Sequence, residues 1–410
     1  MTRVQQFAGA LFVTLFLASQ AFAGGFQLNE HGARAMAQGG AFAARASDGS
    51  AIYFNPAGLG FQTQASIYLG VTAITPAGYF IGPTQKNPSE KTTFVSSTFT
   101  PINVYGVVPV MDRLVVAVGV NNPFGLGTEW PRDWAGKYLT TKVDLKTFFL
   151  SPTAAYRLMD NLSVGVGLNV VTGSVLLERA VPVTSIALPE PPRVSISMGA
   201  SGVGFNAGVM YRPTPDISIG ASYRSSVKVD ATGNASFTPN YVALGLPNGD
   251  VAATINLPAN AFIGVAYTGV KNLEIEADYQ YIGWSSYDKL AVEFKSNNTT
   301  SSSPKNYENT YMIRLGAEYT MDAFHLRAGY VYDRSPVKTE YVEPLLPDAN
   351  RNGYCFGAGY DVTEHFSVEA AYMFLKFKQR DVVNSIPENS FDGTYVSYAD
   401  LIGVNFGYRF

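Results

Sequence analysis

A chain of 410 residues with 29 Lys and Arg against 32 Asp and Glu has a formal net charge of −3, which offers no basic surface for nucleic acid. Charged residues make up 15% and aromatics 13%, and beyond the N-terminal segment no run reaches the roughly 18 apolar residues of a membrane-spanning helix. If the chain crosses a membrane it therefore does so as a barrel. The single cysteine, Cys355, excludes an intramolecular disulfide framework and reads as a small wall-packing residue.

At the start of the chain Arg3 precedes an apolar run at 7–17, and SQAFA (19–23) closes with the small-x-small pattern of a signal-peptidase site. Residues 1–23 thus read as a secretory signal too short to span a membrane, and the mature chain is expected to begin near Gly24.

Residues 24–62 do not alternate. They mix a short helical pattern (33–38) and glycine pairs with Phe26, Leu28, Met36, Phe42, Ile52, Tyr53, Phe54 and Leu59. A disordered periplasmic tail would be poor in such groups, so the segment is expected to be a plug, or hatch, folded into a lumen. Within it, IYFNPAGLGF (52–61) holds a compact turn: Pro56 has a fixed backbone angle and no N–H, and Asn55 bonds to nearby backbone, so Asn55, Pro56 and Ala57 form a rigid turn with a polar tip.

From 63 to 410 the dominant period is two. In NLSVGVGLNV, Leu162, Val164, Val166, Leu168 and Val170 alternate with Ser163, Gly165, Gly167 and Asn169. In LEIEADYQY, Leu273, Ile275, Ala277, Tyr279 and Tyr281 alternate with Glu274, Glu276, Asp278 and Gln280, whose face must be wet or paired with charges across a lumen. Six short breaks fall at 108–113, 157–161, 212–216, 268–272, 320–323 and 361–365. Seven longer segments fall at 75–91, 121–141, 180–192, 231–250, 285–305, 341–351 and 381–394. Strict alternation of short and long connections predicts an all-β transmembrane antiparallel barrel of about 14 strands, with tight periplasmic turns and long outer loops. Aromatics near strand ends, as in YQYIGW and AAYMFLKF, fit the girdles at the two interfaces with outer membrane lipid.

The C-terminal IGVNFGYRF places Val404, Phe406, Tyr408 and Phe410 on one face. A terminal strand of this kind closes the barrel against the first. As class-level knowledge, it is also the signature read by the barrel assembly machinery, with Phe410 as its last residue.

No enzymatic constellation is present. His31, His325 and His365 lack metal-ligand spacing, and no nucleophile elbow, P-loop or dinucleotide fingerprint occurs. The expectation is a non-enzyme with no catalytic residue, cofactor or metal.

The stretch GFQLNEHGARAMAQGGAFAARASDGSAIYFNPAGL resembles the hatch of the FadL/TodX family of outer membrane transporters for long-chain fatty acids and other hydrophobic compounds. NNPFGLGTEW, DLKTFFLSPTAAYRL, LLERA, GFNAGVMYRP, ASYRSSVKVDATG, INLPANAFIGVAY, WSSYDKL and VYDRSPV follow in the family's order. The resemblance implies a 14-stranded barrel in the outer membrane of a Gram-negative bacterium, plugged by the hatch. It also implies capture of a hydrophobic ligand among the outer loops, a tighter lumen site, and sideways exit at a kinked strand. By the same resemblance the Asn55 tip sits against that strand, here NNPFGLGTEW, where Pro123 and Gly125 suit a broken ladder. Arg179 matches a position associated with the ligand head group, its alternative being a wall charge. Lys305 is a looser second cation, better read as structural. Phe124, Leu126, Trp130 and Trp134 are candidates for the apolar outer groove, or for bracing the loops. Leu244, Leu246 and Pro247 are further candidates for that groove. The open alternatives are an aromatic hydrocarbon importer of the same family, an aqueous porin, and an adhesin.

Overall fold

The computed structural model of the protein describes residues 24–82, 90–183, 187–241, 244–383, 385–386 and 391–410; the signal expected at 1–23 lies outside them. The strands are β1 (Ser66–Gly82), β2 (Glu90–Thr93), β3 (Ile102–Met111), β4 (Leu114–Asn121), β5 (Gly125–Glu129), β6 (Lys142–Met159) and β7 (Leu162–Ala180). They continue with β8 (Arg193–Thr214), β9 (Ile217–Arg224), β10 (Val227–Thr238), β11 (Gly249–Leu257), β12 (Asn260–Val270), β13 (Leu273–Ile282) and β14 (Lys289–Phe294). The last are β15 (Thr299–Pro304), β16 (Thr310–Met321), β17 (Phe324–Asp333), β18 (Arg351–Asp361), β19 (Phe366–Phe377), β20 (Arg380–Val382) and β21 (Gly393–Arg409).

Fourteen of these close a ring of antiparallel pairs, β1-β3-β4-β6-β7-β8-β9-β12-β13-β16-β17-β18-β19-β21 and back to β1. Closure leaves no open edge. The C-terminal strand pairs with β1 from Ser66↔Arg409 to Ile81↔Thr394, and the Phe410 N–H donates to the Ala65 carbonyl at 3.0 Å. No helix of the described residues is long and apolar enough to cross a membrane.

Period two sets which side each residue faces. Val166, Leu168 and Val170 on β7 are exposed outward, whereas Ser163 and Asn169 are buried inside; on β13, Ile275, Tyr279 and Tyr281 face out and Glu276, Asp278 and Gln280 face in. Several segments expected to be loops continue the wall outward instead. β1 runs to Gly82, β10 covers 227–238 after a break at Ser225 and Ser226, and a β14–β15 hairpin occupies much of 285–305. β8, at 22 residues, is about twice the length needed to span, so it carries β10 as well as β9. Its alternation persists because the outer extension also has an apolar inner face, built from Val194, Ile196, Met198, Val229, Ala231 and Phe237.

Residues 24–62 pack against the inward face of the ring. The helix Ala33–Ala37 is held by the Ala33 N–H donating to Asn405 Oδ1 at 2.7 Å. The helix Ala51–Phe54 lies near β4, and Asn206 of β8 donates to Ile52 O at 2.8 Å; the 3-10 turn Pro56–Phe61 lies near β6, β7 and β8. The inward carboxylates of the far wall meet this segment directly. Asp278 accepts the N–H groups of Phe42 and Ala43 at 2.9 Å each, Glu276 accepts Ala44 N and Arg45 Nε, and Glu318 accepts both Arg34 Nε and Nη2 at 3.0 Å. Arg327 joins Glu318 to Glu369. The polar face that β13 cannot pack against an apolar core is thus paired with the backbone and guanidinium groups of residues 24–62.

Candidate ligand cavity and wall gap

β4 pairs with β6 up to Asn121↔Phe149, and β5 resumes on the same strand at Gly125↔Lys146. Three residues, Asn122, Pro123 and Phe124, therefore face Thr147 and Phe148, an extra residue that bends the strand as a bulge does. Pro123 has no N–H to give to the ladder. Side chains replace the lost pairs: Asn122 Nδ2 donates to Thr147 O at 2.6 Å, the Thr147 hydroxyl donates to Phe124 O at 2.6 Å, and Phe124 N–H donates to Thr147 Oγ1 at 3.2 Å.

On the lumen side the start of the described chain completes the repair. Leu28 N–H donates to Pro123 O at 2.9 Å, Gly125 N–H donates to Phe26 O at 3.1 Å, and Gln27 bridges Phe124. The strip carrying Phe26 to Leu28 is in effect a short extra strand laid against the break. Phe26 anchors it, edge-on to Trp284 at 4.7 Å, Tyr287 at 5.5 Å and Phe124 at 6.1 Å between ring centroids.

Across the break, residues 94–101 follow β1 through Phe94, Ile74–Phe99 and Pro101 bonds. Two hydrogen bonds tie this edge to the β4–β5 side, Val95 N–H to Glu129 O at 2.8 Å and, at the start of β3, Ile102 N–H to Asn122 Oδ1 at 2.8 Å. Between those points the wall parts around a cavity of about 670 Å³. Phe26, Leu28, Leu375 and Leu401 line it from the lumen, Phe99, Leu126 and Leu145 from the wall, and Ile102 and Phe148, both exposed outward, at its outer mouth. Gly127 permits the crossing, since a Cβ there would stand 1.8 Å from the Phe99 ring.

The cavity's ionisable groups are Glu30, Asp144, Lys146, Asp348 and Arg351. Both cations are paired, Lys146 with Asp144 at 2.8 Å and Arg351 with Asp333 at 2.8 Å. Burial raises the Glu30 carboxyl above its ordinary value, against the pull of Arg351 and Arg314. Burial likewise pushes Asp348, in the loop before β18, up to about 6. Next to them His31 is held well below its usual pKa by burial and by Arg224, so its neutral ring donates from Nε2 to Leu28 O at 3.0 Å while lying tilted against the Tyr53 ring, 3.6 Å between centroids.

The structure brings together Pro123, Phe124, Gly125 and Leu126 as one element of this site. It places the other sequence candidates elsewhere. Asn55 does not meet the break: its Nδ2 donates to Ala43 O at 2.8 Å and Val209 O at 3.0 Å, and its Oδ1 accepts Ala57 N–H at 3.1 Å. Pro56 and Ala57 lie over Gly165 on β7, and Asn55 over Gly208 on β8, where any side chain on either glycine would collide with the turn. The expected contact between the Asn-Pro-Ala tip and the broken strand is therefore corrected, since the 26–28 strip occupies that position.

Trp130 and Trp134 stack at 4.2 Å and are buried with Phe80, Phe94 and Phe391, their indole N–H groups donating to Pro344 O and Thr140 O. They brace the outer loops instead of forming an open groove. Lys305 is buried in an ion pair with Glu343 and bonds Ser303 Oγ. Arg179, at the outer end of β7, reaches Tyr138 O at 3.5 Å and is not among the residues lining the cavity. Leu246 packs at the edge of the apolar outer face. Sequence reading missed Phe26, Phe99, Leu145, Leu375, Leu401 and Arg351 as cavity residues. Each sits in an unremarkable alternating strand or turn, and only ring closure makes them neighbours.

A closed antiparallel barrel of 14 strands with an apolar outer face and a filled lumen defines the class of bacterial outer membrane barrel proteins. The match is to one family in that class: residues 14–410 fit the description "Outer membrane protein transport protein (OMPP1/FadL/TodX)", and the chain belongs to that family. It is 27% identical over 439 residues to a long-chain fatty acid transport protein of Escherichia coli O6:H1, covering 98% of each chain. In fold it is similar to the crystal structure of a Pseudomonas aeruginosa FadL homologue (TM-score 0.84, 20% identity, 94% of this chain and 99% of that one). It is also similar to the Ralstonia pickettii toluene transporter TbuX (TM-score 0.74, 21% identity, 94% and 100%). The protein is an outer membrane transport protein of Gram-negative type.

Proposed function

We propose that the protein carries long-chain fatty acids or similar hydrophobic molecules inward without an energy source, taking them from the outer loops into the 670 Å³ cavity and releasing them sideways through the gap beside Pro123. The observation that carries this reading is continuity: one apolar surface runs from Phe26 and Leu28 inside the lumen to Ile102 and Phe148 on the lipid-facing wall. A hydrophobic molecule following that surface stays out of water, whereas a polar solute would have to cross an apolar cavity under a seated plug. The full-length similarity to a protein named for long-chain fatty acid transport supports the substrate class.

A second reading, uptake of neutral hydrocarbons, is favoured by the pairing of Lys146 and Arg351 with carboxylates and by Glu30 and Asp348 nearby, since an incoming carboxylate gains little from cations already neutralised. In this family the two ligand kinds share one fold, so the choice rests on the site.

Equilibrium binding of oleate to the folded barrel, with toluene as competitor, separates the readings in wild type, Leu126→Asp and Arg179→Ala. Saturable oleate binding that Leu126→Asp weakens at least about tenfold, by burying a charge in the apolar wall, supports the cavity as the site. Additional weakening by Arg179→Ala would extend the route to the outer end of β7. Toluene binding without oleate binding selects the second reading, and ion conductance by the intact protein with no binding of either would replace both with a porin.

A further inference from the structure

The seat of the first described residues is rich in buried carboxyl groups. Asp333 and Asp348 lie against Gly24 and Gly25, with Glu30 nearby; Arg351 faces all three and is bonded to Asp333, while Arg380 approaches Asp348 from the side of Ser335. Arg314 lies further off, donating to Asn29 Oδ1 and Gln280 Oε1. Gly25 N–H and the Ser335 hydroxyl both donate to Asp348 Oδ2, at 3.1 and 2.7 Å. The other oxygens, Asp333 Oδ1 and Asp348 Oδ1, are buried with no hydrogen-bond partner among the described residues. Buried acceptors left in that state are rare and costly.

Gly24 stands against the first of them. Its backbone N–H faces the Asp333 carboxylate, and a Cβ on it would come 2.3 Å from Asp333 Oδ1. Gly25, at φ +68, lies flat against the Trp284 ring. Two residues without side chains are what allow the chain to enter this acidic seat.

We propose that Asp333 and Asp348 form a receptor for the α-ammonium group of Gly24, so that removal of the signal segment completes the lock holding the 24–30 strip under the wall gap. While the Ala23–Gly24 bond is intact, the Gly24 nitrogen has one N–H and no charge. Hydrolysis adds water across that bond, leaving a carboxylate on Ala23 and, at neutral pH, an –NH₃⁺ on Gly24. The nitrogen then carries three donors and one positive charge, which supply charged hydrogen-bond partners for the free carboxylate oxygens. The consequence is order: the strip is locked in its seat only in the processed chain. This holds whatever the barrel transports, so it stands or falls separately from the functional reading.

The test uses the protein purified from outer membranes. Intact mass gives the first residue. The rate at which a small neutral acylating reagent modifies the α-amine is then read on the N-terminal peptide by mass spectrometry, for folded and urea-unfolded protein, in wild type, Asp333→Asn and Asp348→Asn. Heat-modifiable gel mobility confirms that each variant is a folded barrel. The expected result is a start at Gly24, an α-amine at least about tenfold slower to react when folded, and recovery of about tenfold in the Asn variants, the change produced by one pKa unit of lost ion pairing. Mere burial would protect the amine equally in wild type and variants, so unchanged rates in the variants overturn the proposal. So does a different first residue, or an amine that reacts as fast folded as unfolded. If Asp333→Asn does not fold, because Arg351 also loses its partner, Asp348→Asn alone decides.

Discussion

The two halves of the barrel wall treat the plug in opposite ways. From β13 to β19 the inner face is lined with Glu274, Glu276, Asp278, Glu318, Arg327 and Glu369, which fasten the plug through charged hydrogen bonds. From β1 to β6 the inner face meets it mainly through apolar packing, Tyr68, Tyr105, Val107, Val115 and Ala155 against Ile52 and Phe54, with one hydrogen bond from the Tyr105 hydroxyl to His31 O and, at the break, three backbone contacts and the Phe26 ring. A buried ionic network is rigid only while complete, whereas an apolar seam parts at modest cost. One side holds the segment by ion pairs, the other mainly by apolar contact.

The contrast is most directly broken at Glu318. Glu318→Ala removes the carboxylate that Arg34 and Arg327 share, leaving them Glu274 and Glu369, and should cost about 3 kcal/mol in urea unfolding of the lipid-embedded barrel, with ion conductance appearing as residues 24–62 loosen. A loss below about 1 kcal/mol would mean the network is ornamental. Next in size, Phe26→Ala should weaken docking of the strip by about 3 kcal/mol, seen as faster amide exchange over residues 24–30 while the global unfolding midpoint scarcely moves. If the whole barrel is destabilised equally, the seam is not an independent unit.

A smaller effect tests the corrected position of the Asn-Pro-Ala turn. Asn55→Asp puts a carboxylate against the Ala43 and Val209 carbonyls in place of an NH₂ donor, costing about 1–3 kcal/mol, more if the acid stays ionised. Because Asn55 sits over β8 and away from the cavity, oleate affinity should remain within about twofold in the folded variant, on the expectation that distant sites act independently. Strong loss of binding would return the turn to the gap.

The smallest effect is with pH. The folded Asp348 pKa of about 6 lies above that of an unfolded carboxyl, so the folded state favours its protonated form. Its contribution to docking is complete below about pH 4 and is lost as pH rises through about 6, which should quicken exchange of the strip, corrected for intrinsic rates, by at most about a hundredfold. Asp348→Asn should flatten that slope, and a charged Gly24 nitrogen should shrink it in the mature wild type.

The sequence by itself determined the barrel. Alternation in β7 and β13 assigned lipid and lumen faces, and the rhythm of short and long connections led to the count of strands, because both are local consequences of a two-residue repeat in contact with lipid. Pro123 and Gly125 marked the broken strand for the same reason, since what a residue does to a ladder depends on its own backbone. Contacts made across the lumen could not be read this way. That Phe26, not Asn55, seals the break, that Trp130 and Trp134 brace loops, that Lys305 spends its charge on Glu343 and that Asp333 faces Gly24 all depend on which residues ring closure sets opposite one another. Those partners are hundreds of residues apart in several cases, and no periodicity along one strand encodes the distance across a barrel.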